Sequence, residues 1–225
     1  MTECILVTGG SGGIGSALCR QFAEAGYRPL VGFASGRETA AAIADETGGM
    51  ALPLDLTSAD SINAAVDTIA EQIDRLAGIV LAASPPPAIA PIFRLPDDEI
   101  DKQFSVNVTG SHALLAGAIR RLMRPHKQGW IVGLLSEAMG AESGAAKSMG
   151  GYIIAKYGLM GLLKVIDAEY AWLDVYTVSP DYTETAMLDA FDSRFLDQMR
   201  AASDRGGFAS PEEVAAGIIS QIRGF

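Results

Sequence analysis

Short apolar runs alternate along the chain with longer stretches in which apolar residues recur every three or four positions. A short continuous run is typical of a strand buried on both faces of a sheet, and the longer spacing is typical of a helix that packs against it. The pattern predicts strands at residues 5–7, 29–33, 50–54, 78–82, 130–135 and 175–178. It predicts helices at residues 15–25, 39–46, 58–76, 97–123, 151–170 and 211–222.

The ends of several predicted helices carry residues that favour a helix boundary. Gly26 follows the first helix, and Pro96 precedes three acidic residues, 97–99, where the dipole of a starting helix favours negative charge. Strands that alternate with helices form parallel sheets covered by helices. We therefore predict one α/β domain over residues 1–225. Its fold is doubly wound and Rossmann-type, with a mostly or wholly parallel sheet and helices on both faces.

Composition limits the partners that this domain can have. Its 225 residues, 49% of them hydrophobic, suffice to bury the core of one large domain without disulfides. The net charge of −10 disfavours nucleic acids and anionic membranes. No apolar run approaches the ~20 residues that span a bilayer, and no basic leader precedes the first strand. We expect a cytoplasmic protein that acts on a small molecule, with no nucleic acid and no membrane as partner. His112 and His126 lack a metal-ligand spacing, so we expect no metal site.

A glycine-rich segment, TGGSGGIG at residues 8–15, lies between the first predicted strand and the first predicted helix. Backbone N–H groups at a helix start bind a pyrophosphate where no Cβ blocks its approach. Glycines fit two registers, at positions 10, 12 and 15 or at positions 9, 13 and 15. An ordinary tight turn is the other interpretation, but the flanking strand and helix favour nucleotide binding. The residues expected to contact the nucleotide here are Gly9, Ser11, Gly13, Ile14 and Gly15.

The end of the second predicted strand bears on which nucleotide binds. An NAD site usually has an acidic residue there to hold the ribose 2′-hydroxyl, but this chain has none before Glu38. Arg37 and Ser35 have the chemistry to bind a 2′-phosphate. The sequence therefore favours NADP(H), with NAD(H) open if Glu38 reaches the ribose or Arg37 is a solvated loop residue. Asp55, with the neighbouring Leu56, is placed to contact the adenine, or else is a turn acid.

Tyr152 and Lys156 are four residues apart in a predicted helix and so share one face of it. A neighbouring cation favours the phenolate and lowers the tyrosine pKa from about 10 toward the range of acid–base catalysis. The lysine keeps donors for ribose hydroxyls. A solvated helix face is the alternative interpretation. Ser136 follows the strand at 130–135, where the carboxyl ends of parallel strands open into a ligand crevice, and Asn107 lies upstream.

Taken together, these residues resemble the short-chain dehydrogenase/reductase family over nearly the whole chain. The match comprises the turn at 8–15 in the register 9, 13 and 15, and the tetrad Asn107, Ser136, Tyr152 and Lys156. The resemblance implies reversible hydride transfer between a nicotinamide and a carbonyl/alcohol pair. It makes Tyr152 the acid/base, and Ser136 the group that polarises the substrate oxygen. Lys156 would lower the tyrosine pKa and bind the ribose, and Asn107 would hold a proton-relaying water.

The resemblance also implies contacts further along the chain. Pro180 and one of Thr183 and Thr185 would lie at the nicotinamide, unless the threonines face solvent. Ala82 and Ala83, after the fourth strand, would approach the cofactor closely. Residues 139–151 would flank the substrate mouth. Residues 188–208 would form a substrate lid, with plain core as the alternative for their apolar stripe.

Three features depart from the family pattern. Residues 82–85 read Ala-Ala-Ser-Pro in place of Asn-Asn-Ala-Gly, which removes two bracing amides. Asp181 follows Pro180 where the family usually has glycine, which puts a carboxylate near the nicotinamide or is simply a turn residue. The sequence also stops before the family's usual last strand. We expect a homodimer formed by the long helices, an expectation that light scattering from a stable tetramer would contradict.

The leading functional hypothesis is a carbonyl reductase or alcohol dehydrogenase. One alternative is a nucleotide-binding sensor or scaffold of the same fold without turnover. Another is a ketoreductase for substrates on an acyl carrier protein, with Arg124 and Lys127 docking the acidic carrier. Epimerases and dehydratases of this fold normally have a second domain, for which the chain leaves no room.

Overall fold

The computed structural model describes residues 2–140, 144–203 and 205–222 of the chain. Within them six strands form one sheet in the order β3-β2-β1-β4-β5-β6, and every neighbouring pair is parallel. The strands are β1 Cys4–Thr8, β2 Arg28–Phe33, β3 Met50–Pro53, β4 Leu76–Leu81, β5 Trp130–Leu134 and β6 Asp174–Val178. The predicted Rossmann-type fold is confirmed, and its sheet, predicted to be mostly or wholly parallel, is wholly parallel.

Helices cover both faces of this sheet. They are α1 Gly13–Glu24, α2 Arg37–Thr47, α3 Ala59–Gln72, α4 Glu99–Phe104, α5 Ser111–Ala118, α6 Gly150–Glu169, α7 Ser193–Ala202 and α8 Pro211–Ile219. Strand β1 shows how the chain builds two cores. Ile5 and Val7 pack with α1, α2 and α8 on one face, while Cys4 and Leu6 pack with α3, α5 and α6 on the other. All four side chains are almost fully buried, as successive residues of a central parallel strand must be.

Two predicted helices differ from the structure. The helix predicted at 58–76 ends at Gln72, because the fully buried Leu76 pairs with Cys4 and begins β4. The helix predicted at 97–123 is divided into α4 and α5 by a wide π-type turn at Ser105–Gly110, and a second such turn at Ile119–Met123 follows α5. A side chain at Gly110 would overlap the carbonyl of Leu56, so this turn brings the helix backbone close to the loop after β3.

The described helices include none that is long and apolar enough to cross a membrane. Of the predicted mouth segment, residues 141–143 lie outside the described residues, as do residue 204 of the predicted lid and residues 1 and 223–225 of the predicted domain. Because all six strands run in one direction, the segments that leave their carboxyl ends meet at one edge of the sheet. The strand order reverses between β1 and β4, which places a crevice at that edge.

Candidate active site

A cleft of about 680 Å³ opens at the carboxyl edge of the sheet. It brings together nearly all of the site residues predicted from the sequence. Those that line it are Gly9, Ser11, Gly13, Ile14, Gly15, Ser35, Asp55, Leu56, Ala82, Ala83, Ser136, Tyr152, Lys156, Pro180, Thr183 and Thr185. Two predicted residues, Arg37 and Asn107, do not line it.

The turn between β1 and α1 is shaped for close approach of a ligand. Gly9 has a left-handed backbone with φ of +64°, and a side chain at Gly15 would overlap the Gly9 carbonyl. A side chain at Gly13 would overlap Thr185, which fixes the loop after β6 against the turn. These are the glycines of the 9, 13 and 15 register. The first turn of α1 has no acidic residue and no side-chain cap, so its N–H groups and dipole suit the pyrophosphate of a dinucleotide.

The end of the cleft formed by β2 and β3 is polar. The Ser11 hydroxyl donates a hydrogen bond to the Ser35 carbonyl at 3.1 Å, which joins the glycine turn to the end of β2. The Asp55 Oδ1 accepts hydrogen bonds from the backbone N–H and the hydroxyl of Thr57, at 2.8 and 2.7 Å, so this carboxylate also organises a turn. Arg37 is exposed at the start of α2, and its guanidinium carbon lies 5.7 Å from the centroid of the Phe33 ring.

The other end of the cleft contains Tyr152 and Lys156 on α6 and Ser136 after β5. Lys156 is only 2% exposed, and its Nζ donates to the Leu134 carbonyl at 2.7 Å. The same Nζ lies 5.4 Å from the centroid of the Tyr152 ring, so the spacing of four residues does bring the two groups together. Burial lowers the pKa of Lys156 to about 7, because the low-dielectric interior disfavours the ammonium.

The pKa of Tyr152 moves in the direction opposite to the sequence expectation. Burial raises it, because the interior disfavours the phenolate, and the Ser136 side chain lowers it only in part. Tyr152 is therefore a protonated phenol at neutral pH in this structure, and can donate a proton.

Asn107 is fully buried and belongs to a polar ladder that sequence reasoning missed. Its Nδ2 donates to the Gln103 carbonyl at 3.0 Å, the Gln103 Nε2 donates to the Glu99 Oε1 at 3.0 Å, and that oxygen accepts from the Ala88 N–H at 3.0 Å. Glu99 and Gln103 are 3% and 0% exposed. The available signal was the spacing of four residues among 99, 103 and 107. Glu99 was instead interpreted as one of three acids at a helix start.

The altered segment after β4 is braced by side chains from other elements. The Thr8 hydroxyl accepts hydrogen bonds from the N–H groups of Ala82 and Ala83, each at 3.1 Å. The Gln103 Nε2 lies 3.3 and 3.2 Å from the carbonyl oxygens of Pro85 and Pro86, to which it donates. These bonds hold the backbone that the two missing amides would be expected to brace.

The predicted lid contains α7 and an aromatic cluster. The Tyr182 ring stacks on Phe208 with centroids 5.3 Å apart, and meets Phe191 and Phe195 edge-on at 5.8 and 6.1 Å. Tyr182, Leu188 and Phe191 line the cleft, so this part of the lid faces the site. Leu196 on α7 is buried, as the core interpretation of the apolar stripe requires, and the substrate lid stays a prediction.

Comparison with known proteins shows what this chain is similar to. A family model described as short chain dehydrogenase matches residues 3–194. The D-threitol dehydrogenase of Mycolicibacterium smegmatis is 29% identical over 222 residues, covering 95% of this chain and 83% of that protein. The 3-oxoacyl-(acyl-carrier-protein) reductase of Vibrio harveyi is 30% identical over 222 residues, which cover 95% of this chain and 87% of that protein. A solved 3-ketoacyl-(acyl-carrier-protein) reductase from Brucella melitensis, complexed with NADH, shares the fold with a TM-score of 0.85. The two chains are 20% identical, and the match covers 96% of this chain and 89% of the Brucella melitensis chain.

The buried Lys156 predicts a pH-dependent stability. Between pH 7 and 10.5 the unfolded chain binds a proton that the folded chain lacks, so the free energy of unfolding should rise with pH in that window. The difference between 10.5 and about 7 corresponds to ~5 kcal/mol. Lys156→Met removes this dependence, so its stability advantage over the wild type should be largest at pH 7 and shrink toward pH 10, measured by urea unfolding.

Lys164→Met is the matched control, because Lys164 is exposed on the same helix. The difference in the free energy of unfolding between Lys164→Met and the wild type should stay constant between pH 7 and pH 10. If the free energy of unfolding changed with pH in the same way in the wild type and in Lys156→Met, the assignment of a lowered pKa to Lys156 would be contradicted.

Proposed function

We propose that this chain, which belongs to the short-chain dehydrogenase family, is an NADP(H)-dependent oxidoreductase that transfers a hydride between the nicotinamide and a carbonyl/secondary alcohol substrate. One observation carries the proposal. The cleft that contains the glycine turn at the start of α1 also contains Tyr152, Lys156 and Ser136. A nucleotide bound at the glycine turn would therefore lie beside Tyr152 and Lys156.

The side chains at the α6 end of the cleft account for the proton chemistry. When bound, the nicotinamide supplies or accepts the hydride. Tyr152, which is protonated at neutral pH, donates its proton to the substrate oxygen during reduction and takes it back during oxidation. The Ser136 hydroxyl hydrogen-bonds the same oxygen and polarises the carbonyl. Lys156 holds the ribose hydroxyls and, as an ammonium, favours the phenolate form of Tyr152.

Asn107 is assigned the role of holding a water that relays protons from the site. Its Oδ1 is buried and has no hydrogen-bond partner within the described ranges. Buried polar groups of this kind are usually satisfied by ordered water, which supports the assignment.

The preference for NADP(H) rests on the end of β2. Ala34 and Ser35 line the cleft there, and neither has a carboxylate to receive a ribose 2′-hydroxyl. We assign Ser35 and Arg37 to the 2′-phosphate of NADP(H). NAD(H) is the second candidate, because Glu38 lies in the first turn of α2, one residue beyond Arg37.

An acyl-carrier-protein ketoreductase is the second candidate function, favoured by the similarity to the Vibrio harveyi enzyme. The basic residues proposed to dock a carrier do not strengthen it. Arg124 and Lys127 lie just before β5, whereas the cleft opens after that strand, so the length of β5 separates them from the cleft. A sensor or scaffold role has less support, because such a protein does not need Tyr152 and Lys156 together.

The homodimer is supported by one face of α6. Ile154, Tyr157 and Val165 are large apolar side chains that are 41%, 43% and 53% exposed, and their spacing places them along one side of the helix. A second copy of the chain that covers this face would bury them. Light scattering measures the resulting mass.

The role of Tyr152 gives the first test of this function. Tyr152→Phe keeps the ring and removes the proton, so we expect kcat for ketone reduction to fall about a thousandfold while NADPH binding stays within about twofold. Tyr157→Phe is the matched control, because the Tyr157 hydroxyl on the same helix bonds the Met139 carbonyl and does not line the cleft. Equal losses in both variants, or full activity in Tyr152→Phe, would argue against Tyr152 as the acid.

The nucleotide preference is tested at Ala34, which directly follows β2. Ala34→Asp provides a carboxylate that accepts from a 2′-hydroxyl and repels a 2′-phosphate. We expect the ratio of kcat/KM for NADPH to that for NADH to fall about tenfold or more. Ala34→Asn adds the same volume without the charge and should change the ratio far less. A wild-type enzyme that already prefers NADH would refute the assignment of NADP(H).

A further inference from the structure

The wall of the cleft beside Tyr152 is apolar. Tyr152 is buried in a small cluster with Met149 and Ile153, and Ala138 and Phe191 pack against that cluster. Met149, Ala138 and Phe191 also line the cleft, so these side chains face whatever binds next to the phenol. A substrate group beyond the reacting carbonyl would therefore meet methyl, thioether and aromatic surfaces.

The lid holds this wall in place. Phe191 stacks on Phe195 with centroids 5.8 Å apart, and Tyr182 meets both rings edge-on. The other side of Tyr182 is covered by Phe208, over which the Arg200 guanidinium carbon lies at 4.8 Å from the ring centroid. Aromatic clusters of this kind have few alternative packings, so Phe191 presents a defined surface to the cleft.

The exposed charge at this end of the cleft is negative. Among the described residues that line it, the charged ones are Lys156, Asp55 and Asp181. Lys156 is buried against the Leu134 carbonyl, and Asp55 lies at the far end by β3. Asp181 is exposed. The carbonyl of the preceding Pro180 accepts from the Glu137 N–H at 3.0 Å, which places Asp181 beside the end of β5 that carries Ser136.

We propose that the substrate is a neutral ketone or secondary alcohol with an apolar group next to the reacting carbon, and that Asp181 disfavours anionic substrates. The proposal rests on the function assigned above and specifies its substrate class. A carboxylate in this position would lose hydration without gaining an exposed cation as a partner, and would face the like charge of Asp181.

Methyl phenylglyoxylate and phenylglyoxylate share the ring and the ketone, and differ in that one carries a neutral methyl ester where the other carries a carboxylate. The ester is also the more electrophilic ketone, so the effect of Asp181 is measured by how its substitution changes the ratio between the two substrates. Reduction of either adds a hydride at the carbonyl carbon and a proton at its oxygen, and oxidises one NADPH to NADP⁺. We expect kcat/KM to favour the ester by about tenfold or more. The ester's alcohol product should also raise the Tm of the NADP⁺-loaded protein more than the acid's product does.

Variants separate the two causes of this selectivity. Asp181→Asn should lower the ratio of kcat/KM for the ester to kcat/KM for the acid about threefold. Asp189→Asn should leave this ratio unchanged, because Asp189 is an exposed carboxylate that does not line the cleft. Phe191→Ala should lower kcat/KM for the aryl ester more than for methyl pyruvate. If the acid is reduced as well as the ester, or the ester is not a substrate while another ketone is, the proposed class is wrong and the reductase function stands. If the protein binds neither nucleotide, the function itself fails.

A second inference comes from the polar ladder of Glu99, Gln103 and Asn107. Besides its hydrogen bond to Ala88, Glu99 packs on α6, since a Cβ at Gly151 would lie 2.8 Å from the Glu99 Cγ. Gly151 directly precedes Tyr152. The ladder thus runs from Asn107 at one end to the start of α6 at the other. Between these ends it holds the loop after β4, through the N–H of Ala88 and the carbonyls of Pro85 and Pro86.

The loop held by the ladder also borders the substrate end of the cleft. The Ala90 N–H donates to the Ser148 carbonyl at 3.0 Å, and Ala90 pairs with Met149 as an isolated parallel bridge. We infer that Glu99 and Gln103 are positioning residues that fix this loop and the start of α6 relative to each other. They act on nucleotide and substrate through the backbone and through Tyr152.

Gln103→Leu removes the donor that holds Glu99 and both proline carbonyls, and we expect NADPH to bind about tenfold more weakly and kcat to fall about tenfold. Glu99→Gln keeps an oxygen that accepts from Ala88 and Gln103, so both quantities should stay within about twofold of the wild type. Gln72→Leu, the same substitution at the exposed end of α3, is the matched control. Nucleotide binding is measured by fluorescence, alongside Tm.

A purely structural ladder would lower the Tm of Gln103→Leu and leave its NADPH dissociation constant and kcat like those of Gln72→Leu, which would overturn the positioning role. A Glu99→Gln variant as impaired as Gln103→Leu would overturn it too. Gln103→Met, with an unbranched side chain of similar length, repeats the test if Gln103→Leu does not fold. A wild type that binds no NADPH would instead refute the proposed function.

Discussion

The burial of Lys156 is the constraint to which the rest of the site is tied. A lysine that is 2% exposed loses the hydration of its ammonium, and only a fixed acceptor offsets part of that loss. The Leu134 carbonyl is this acceptor, at the end of β5. The bond therefore joins α6 to β5. Tyr152 lies one turn before the lysine on α6, and Ser136 lies two residues after Leu134, so the same bond fixes these two side chains relative to each other. The relative position of Tyr152 and Ser136 therefore follows from where the lysine is buried.

Much of this arrangement could be predicted from the sequence, because it depends on patterns that are local in the chain. Each strand was placed to within two residues, since buried parallel strands are continuous apolar runs. The glycine turn and the pair Tyr152 and Lys156 could be found from their spacing together with the predicted elements and motifs around them. The end of α3 could not, because the residues up to Leu76 continue a helical pattern, and only the pairing of Leu76 with β1 draws it into the sheet.

What the sequence could not supply depends on the balance of interactions in three dimensions. The pKa of Tyr152 is one case: adjacency to a lysine predicts a lower value, but the same burial that encloses the lysine raises the pKa of the phenol. The bracing of residues 82–86 is another. Its donors and acceptors come from Thr8 in β1 and Gln103 in α4, which are far from the segment in sequence. Loss of a family motif therefore did not mean loss of the backbone shape that the motif holds.

Two departures from the family pattern, the Ala-Ala-Ser-Pro segment and Asp181, lie in different parts of the cleft. A cofactor cleft requires a fixed backbone, and several combinations of side chains can fix it, so the identity of the bracing residues is free to vary. The substrate end is different, because there the side chains themselves meet the ligand. Asp181 makes no side-chain hydrogen bond within the described residues and lies on the lining beside apolar neighbours. Under the proposed function, the effect of a carboxylate in that position falls on the charge of what can bind.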